Sequence, residues 1–251
     1  MCTMIESMFD SQRYLDTVSD QIRKVRETQW QAIETAGQWI AEALTQDHWF
    51  YTFGTGHSRL LAEEVFHRAG GLARAVPILD PMIYFSAGAE NATAFERKEG
   101  AAKVLLDQYP VEAGDVIMIS SNSGRNALPI EMALDAKERG LKVIALVNLQ
   151  HSQAWPTRHS SGKNLAEIAD LVLDNCGIEG DAALEIEGIP GKVAPTSTIT
   201  GALLVNLVLV STVSTMKKMG QDPEIYISSN SNGDDHNTKL ANKYRGRIRH
   251  L

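Results

Sequence analysis

Two short runs of small polar residues have the composition to close around an anion. One is Gly54-Thr55-Gly56-His57-Ser58, the other Ser120-Ser121-Asn122-Ser123-Gly124-Arg125-Asn126. Each follows an apolar run, WFYTF (49–53) or DVIMIS (115–120), and each leads into a stretch with helical spacing. Small residues let the backbone approach a ligand closely. Hydroxyls and the free N–H groups of a helix's first turn point at negative charge. A charge-assisted hydrogen bond contributes roughly 1.5–3 kcal/mol, so a few hydroxyls can hold such a group without a lysine. One Ser-rich run alone could equally be a helix cap; two in one sheet weigh against that. Three commoner loop chemistries do not fit. GTGHSRL has Arg59 where the third glycine of GxGxxG would stand, no GxxxxGK[ST] follows a strand, and NSGRN lacks the first glycine of a GxSxG nucleophile turn.

The elements that must position these runs follow from the apolar pattern. From about Met4 to Gln46 there is no proline, and Ile22, Val25, Ile33, Trp39, Ile40 and Leu44 recur at helical spacing among charges, which predicts two amphipathic helices. They would bury Trp30 and Trp39, either as a dimerisation element or as a cap on one sheet face. A strand–turn–helix rhythm then begins: strand 49–53, helix Arg59 to Ala69, strand Asp115 to Ser120, helix Ala127 to Arg139 with Gly140 as its stop, strand Lys142 to Val147, and a strand at Asp170 to Leu173. Continuous apolar strands alternating with helices indicate an α/β fold with a parallel sheet covered on both faces. In such folds ligands bind at the carboxyl ends of the strands, where both polar runs fall. Pro190 to Thr198 reads as a loop leading into a long helix, about Thr198 to Met219, apolar around most of its circumference. The remainder divides the chain into helices (1–46), a ligand-binding domain (47–220) and a C-terminal extension (221–251).

The 251 residues carry 24 Lys and Arg against 31 Asp and Glu, a net charge of −7, with 43% hydrophobic residues. That is an ordinary globular balance, long enough to bury a core unaided. It lacks the broad basic footprint of a duplex-binding protein, so no nucleic-acid partner is expected, and any anionic ligand needs a local pocket. The basic end KYRGRIRH reads as a solvated helix or a contact to a partner subunit. Cys2 and Cys176 have no metal or disulfide spacing. No signal peptide opens the chain, and the longest apolar stretch, 201–213, falls short of the roughly 20 residues that span a bilayer, so no membrane partner and a cytoplasmic location are expected.

Taken together, FGTGHSRLLAEEVFHRAGG, ISSNSGRNALPIEMALDAKERGLKVIALVN and PTSTITGALLVNLVLV resemble the SIS (sugar isomerase) domain family of phosphosugar-binding proteins, over about Trp49 to Gly220. The resemblance is greatest to the subgroup containing phosphoheptose isomerases. It implies a five-stranded parallel sheet flanked by helices on both faces, a flavodoxin-like three-layer arrangement, and a homodimer or homotetramer with shared active sites. It also implies that Gly56, Ser58, Ser121, Asn122, Ser123, Gly124, Asn126, Ser197 and Thr198 hold the phosphate of a sugar phosphate. The implied reaction is aldose–ketose isomerisation, in which a base moves a proton between adjacent carbons and an acid serves the ring or carbonyl oxygen.

Glu99, Glu64, His57 and His236 are the candidates for those tasks. Glu63 and Glu64 point about 100° apart on a helix, so only one can face a pocket; Glu64 matches the position where zinc-using phosphoheptose isomerases carry a histidine. Those enzymes add glutamine and histidine from the late helix, which here has neither, so no metal or other cofactor is expected. His57 lies inside the first run, while His67 reads as surface. His236, in GDDHN, would reach a site from a neighbouring subunit, as a histidine does in some SIS isomerases. The segment Glu99 to Ala102 (EGAA) is similar to the EGAED of N-acetylmuramic acid 6-phosphate etherases, whose glutamate acts as acid and base. It lacks the following Glu-Asp. A lyase or deaminase on an amino-sugar phosphate, and a non-catalytic phosphosugar sensor, are the alternatives.

Overall fold

The computed structural model describes residues 2–251, with side chains from residue 9 onward. The side chain of Cys2 therefore lies outside the described residues; Cys176 is a free thiol. Two helices come first, α1 (Cys2–Thr28) and α2 (Trp30–Thr45), followed by β1 (Phe50–Gly54), α3 (Arg59–Glu63) and β2 (Ala75–Pro77). Then come α4 (Ala89–Glu96), α5 (Ala102–Leu106), β3 (Val116–Ser120), α6 (Ala127–Glu138), β4 (Lys142–Val147), α7 (Leu149–Ala154), α8 (Leu165–Ile168) and β5 (Leu171–Asp174). A hairpin of β6 (Ala182–Glu185) and β7 (Lys192–Pro195) precedes α9 (Ser197–Lys218) and α10 (Asp234–Tyr244).

The main sheet is five-stranded and wholly parallel, in the order β2-β1-β3-β4-β5. Its strands alternate with period two between separate cores, as a sheet buried on both faces must. Phe50, Val116, Met118, Ile144 and Leu146 face α2 and α9. Tyr51, Phe53, Ile117, Ile119, Val143 and Ala145 face the layer of α5, α6, α8 and the C-terminal segment. The three-layer α/β arrangement implied by the resemblance is the one observed.

Several local expectations change. The helix expected to run to Ala69 ends at Glu63, because His67 takes a left-handed conformation (φ 43°), its ring 4.7 Å from that of Tyr226. The stretch from Pro190 is not all loop: Lys192–Pro195 pairs antiparallel with Ala182–Glu185, the chain reversing through Glu187-Gly188 (Ile189 N–H to the Ile186 carbonyl) and a bend at Pro190-Gly191. Trp30 is 54% exposed instead of buried, whereas Trp39 packs at the α2 core and lies under the Lys142 ammonium. By length and composition α9 could cross a membrane, yet it lies along α2 and the sheet, burying Thr200, Leu204, Val205, Val208 and Thr212. It is not buried all round within one chain, since Ile199 and Val210 face outward.

The C-terminal segment closes back on its own sheet. Leu240, Tyr244 and Ile248 join the core around Tyr51. Arg247 donates to the Tyr51 hydroxyl and the Pro110 carbonyl. Burial pushes the Tyr51 phenol up to about 12, with Arg247 opposing the shift.

α2 packs closely on α9 at Gly37. A Cβ built on Gly37 would stand 2.4 Å from Ser211 Oγ and 2.9 Å from the Thr212 backbone nitrogen. Overpacking of this kind costs about 1–3 kcal/mol. Gly37→Val should therefore lower the urea unfolding free energy by that amount, and an unchanged midpoint at equal m-value would mean that the helices do not approach so closely.

Candidate functional site

The sheet order doubles back after β2, so β1 and β3, adjacent in space, lead their connections away on opposite sides. That is the topological switch point, where open parallel sheets leave a crevice. The register places Gly54 opposite Ser120, so the two polar runs begin side by side. Gly54 is required there: a Cβ would lie 2.3 Å from the Ser58 carbonyl oxygen as the chain folds back. Gly124 turns the second run with φ 60°.

Between the runs lies a narrow slot. His57 and Ser58 line it from the first run, Ser121 and Asn122 from the second, and Ser197 and Thr198 from the start of α9. Asn175, at the end of β5, completes the wall and donates to Asn122 Oδ1 at 2.9 Å. The slot encloses about 10 Å³, room for about one water. The ring of His57 stands edge-on to Phe85 at 5.0 Å, which holds it at the mouth.

The amino end of α9 already holds an anionic group. The Asp181 carboxylate accepts from the backbone nitrogens of Thr196 (3.1 Å) and Ser197 (2.9 Å), and from the Ser197 hydroxyl (2.7 Å). A carboxylate among unpaired N–H groups is stabilised by hydrogen bonding and by the helix dipole together. Asp181 holds φ 68° immediately after Gly180 at φ 79°, so the tight turn before the hairpin delivers it to this place.

Other residues expected at the site lie elsewhere. Ser123, next to Asn122, faces a separate basin with Arg125 and Arg158. Asn126 turns away, donating to Glu96 (2.9 Å) and accepting from Arg158 (2.8 Å). Glu99 accepts from the Ser160 nitrogen (2.7 Å) and hydroxyl (2.8 Å), and those bonds hold its carboxyl below the usual range. A carboxylate so stabilised is a weak base, and Glu99 does not line the slot. Glu64 is engaged by Arg68 and by Asn206 at 2.9 Å, more than two helical turns along α9 from Ser197. His236, in the first turn of α10, donates to the Ile225 carbonyl at 2.9 Å. Ile225 pairs with Leu72, ahead of β2, at the end of the sheet opposite the slot. Within one chain, then, His57 is the member of the catalytic quartet that meets the slot.

A zinc ion of the phosphoheptose isomerase kind does not fit these side chains. The face of α9 toward the slot offers Ser197 and Thr198 and no imidazole or glutamine, and the Glu64 carboxylate is held by Arg68 and Asn206. Among the described residues, Glu99, Glu131 and His159 bring donor atoms within 4.8 Å of one another, as do His48, Glu112 and Asp115, but neither group lines the slot.

Residues 13–148 match the family model of the SIS domain. The chain belongs to the SIS domain family. It is 40% identical over 242 residues to a UPF0309 protein of Caldanaerobacter subterraneus subsp. tengcongensis, covering 95% of this chain and 98% of the relative. The SIS fold is shared with the phosphoheptose isomerase of Neisseria gonorrhoeae (TM-score 0.52, 17% identity, 84% of this chain and 98% of that one). It is shared also with an E. coli protein solved in complex with a sugar phosphate (TM-score 0.50, 14% identity, 85% and 93%). The SIS match begins inside α1, so it includes the later part of that helix and all of α2.

Sequence reasoning missed Asn175, Asp181 and the basin. The hairpin that delivers Asp181 was readable: Pro-Gly at 190–191 between two alternating segments is a turn signal. The Asn175 contact depends on β5 ending beside β4, which no local pattern announces.

Glu99 ties the 157–164 loop to the turn after α4. Because its folded carboxyl titrates below the ordinary value, the tie is complete above the unfolded range near about 4.3 and is lost as pH falls through the lower folded value. Hydrogen-exchange protection of the Ser160 amide should stay flat from about pH 7 down to the ordinary carboxyl range and drop only below it; loss of protection already near about pH 6 would contradict the tie.

Proposed function

We propose that this SIS protein binds a sugar phosphate with the phosphate at the slot and isomerises it between aldose and ketose forms. The observation that carries the reading is the convergence of Ser58, Ser121, Asn122, Ser197 and Thr198 at the switch point. The sugar-phosphate ligand of the E. coli neighbour and the activity named for the Neisseria one support it by analogy of fold. His57 moves the proton, being the titratable ring at the slot mouth. Two copies of the chain form the working unit, with Leu15 and Ile22 of α1 and Val210 of α9 among the exposed apolar side chains available for contact. Light scattering reads that state directly.

The decisive measurement is solvent deuterium incorporation at the carbon next to the carbonyl, over a panel of aldose and ketose phosphates. Wild type should incorporate label. His57→Asn should keep binding but lose exchange by about 10²–10⁴-fold, the usual scale of acid–base catalysis. A second reading, a phosphosugar sensor without catalysis, is favoured by one feature: Asp181 is the carboxylate bonded to a slot residue, and it is fully engaged. Binding without exchange in wild type would establish that reading instead.

A phosphate in the slot must displace Asp181. Two unit charges 4 Å apart interact by about 4 kcal/mol at an effective dielectric of about 20, so the two anions do not share the start of α9. Asp181→Asn removes the repulsion and keeps an acceptor for the helix end. Sugar-phosphate affinity at neutral pH should rise about tenfold by calorimetry; unchanged or weaker binding would place the phosphate away from α9.

A further inference from the structure

Beside the slot lies a larger basin of about 600 Å³, and its chemistry differs from that of the slot. Arg125, Arg158 and Lys192 bring three positive charges to it and Glu179 one negative charge, in a chain whose net charge is −7. Lys192 is balanced by Glu185 at 3.8 Å. The two arginines are not so balanced. Among the described residues, Arg125 directs its Nε to the Pro156 carbonyl (2.9 Å) and Arg158 one terminal nitrogen to Asn126 Oδ1 (2.8 Å), and neither forms an ion pair with a carboxylate. Burial and the positive fields of Arg97 and Arg125 hold the Arg158 guanidinium below its ordinary value, with the Glu96 carboxylate opposing the shift without offsetting it. Clustering unneutralised guanidinium groups is unfavourable in the empty protein, and a bound anion recovers that cost through paired N–H bonds. Glu179 brings one negative charge against two guanidinium groups, and it accepts from the Trp155 indole at 3.1 Å. That bond also presents the 47% exposed Trp155 ring, 5.7 Å from the Arg125 guanidinium, as an aromatic wall.

The serine loop is the wall common to both chambers. Asn122 faces the slot and Ser123 the basin, and consecutive Cα atoms stand about 3.8 Å apart. The segment from Asn175 to Asp181 borders both as well, with Asn175 at the slot and Glu179 and Gly180 at the basin. Displacement of Asp181 by a phosphate, as the functional reading requires, frees that same segment. We propose that the basin is a subsite for a second acidic group, a carboxylate or a second phosphate ester, on the sugar phosphate whose first phosphate occupies the slot. The natural ligand is then a doubly acidic phosphosugar. This inference rests on the slot reading, and it predicts what that reading does not: a preference among ligands that share the same 6-phosphate.

Glucose 6-phosphate, glucose 1,6-bisphosphate and 6-phosphogluconate form the probe set, titrated by calorimetry at fixed ionic strength. Wild type should bind one of the two doubly acidic probes at least about tenfold more tightly than glucose 6-phosphate, and which one distinguishes phosphate from carboxylate. In the double variant Arg125→Gln/Arg158→Gln, with an unchanged circular dichroism spectrum, that preference should vanish while glucose 6-phosphate affinity stays within about twofold. Equal affinity of wild type for all three probes would overturn the basin and leave the slot reading intact. Loss of glucose 6-phosphate binding in the double variant would also overturn it, by showing that the basin holds the first phosphate. If wild type binds none of the three, while retaining its fold, the slot reading fails and the subsite with it.

Discussion

The parallel pairing of β1 with β3 is the constraint on which the rest of the molecule depends. It sets Gly54 against Ser120, and from that register two polar turns leave the sheet at one point and diverge to opposite sides. Everything chemical in the chain is arranged relative to that divergence. The slot is the gap itself, α9 brings its amino end to the gap, and the basin lies on the far side of the serine loop. A slip of one residue in this pairing would exchange the side chains that β3 sends to its two faces, since side chains alternate with period two. Both sets are apolar, so what opposes the slip is the fitted packing of Val116 and Met118 in one core and of Ile117 and Ile119 in the other.

Much of this was legible because it is local or periodic. The strands at 116–120 and 142–147, the helix from Ala127 and the stop at Gly140 follow from apolar runs and a single glycine, and the structure places them within a residue of the pattern. β2 was illegible as a strand because it is three residues long, Ala75–Pro77, and ends in proline at a sheet edge. The site divided along the same line. Serines in the turns could be read from their place after apolar strands. The acid–base residues could not, because Glu99 and Glu64 were chosen by position along the chain, while their partners, Ser160 and Asn206, lie 61 and 142 residues away. A carboxylate's task is decided by whichever donor reaches it first in space.

The Asp181 cap shows how this chain satisfies the donors at the start of a long core helix. Two backbone N–H groups and a hydroxyl converge at the start of α9, and leaving such donors buried without partners is costly. A carboxylate from the neighbouring hairpin satisfies them. The same bonds occupy the Ser197 hydroxyl and amide, and Ser197 also lines the slot. The hairpin that follows Asp181 is a separate two-stranded sheet, not paired with the five-stranded ladder, and it is held to α1 by the Tyr14 hydroxyl, which donates to the Pro195 carbonyl.

Charge distribution then separates two ways of holding an anion. In the slot the donors are neutral hydroxyls and amides, whose strength depends on exclusion of water and on fixed direction. In the basin they are guanidinium groups at a partly open surface, which attract over a longer range and with less geometric demand. A ligand with one anionic group can use only one of these environments at a time. Arg125 and Arg158, bonded to a carbonyl and an amide oxygen and not to carboxylates, stand beside a serine loop that supplies neutral donors in a protein of net charge −7. A net charge of −7 opposes general anion binding, so a local cluster of positive charge at the switch point of the sheet stands out against the average field of the chain.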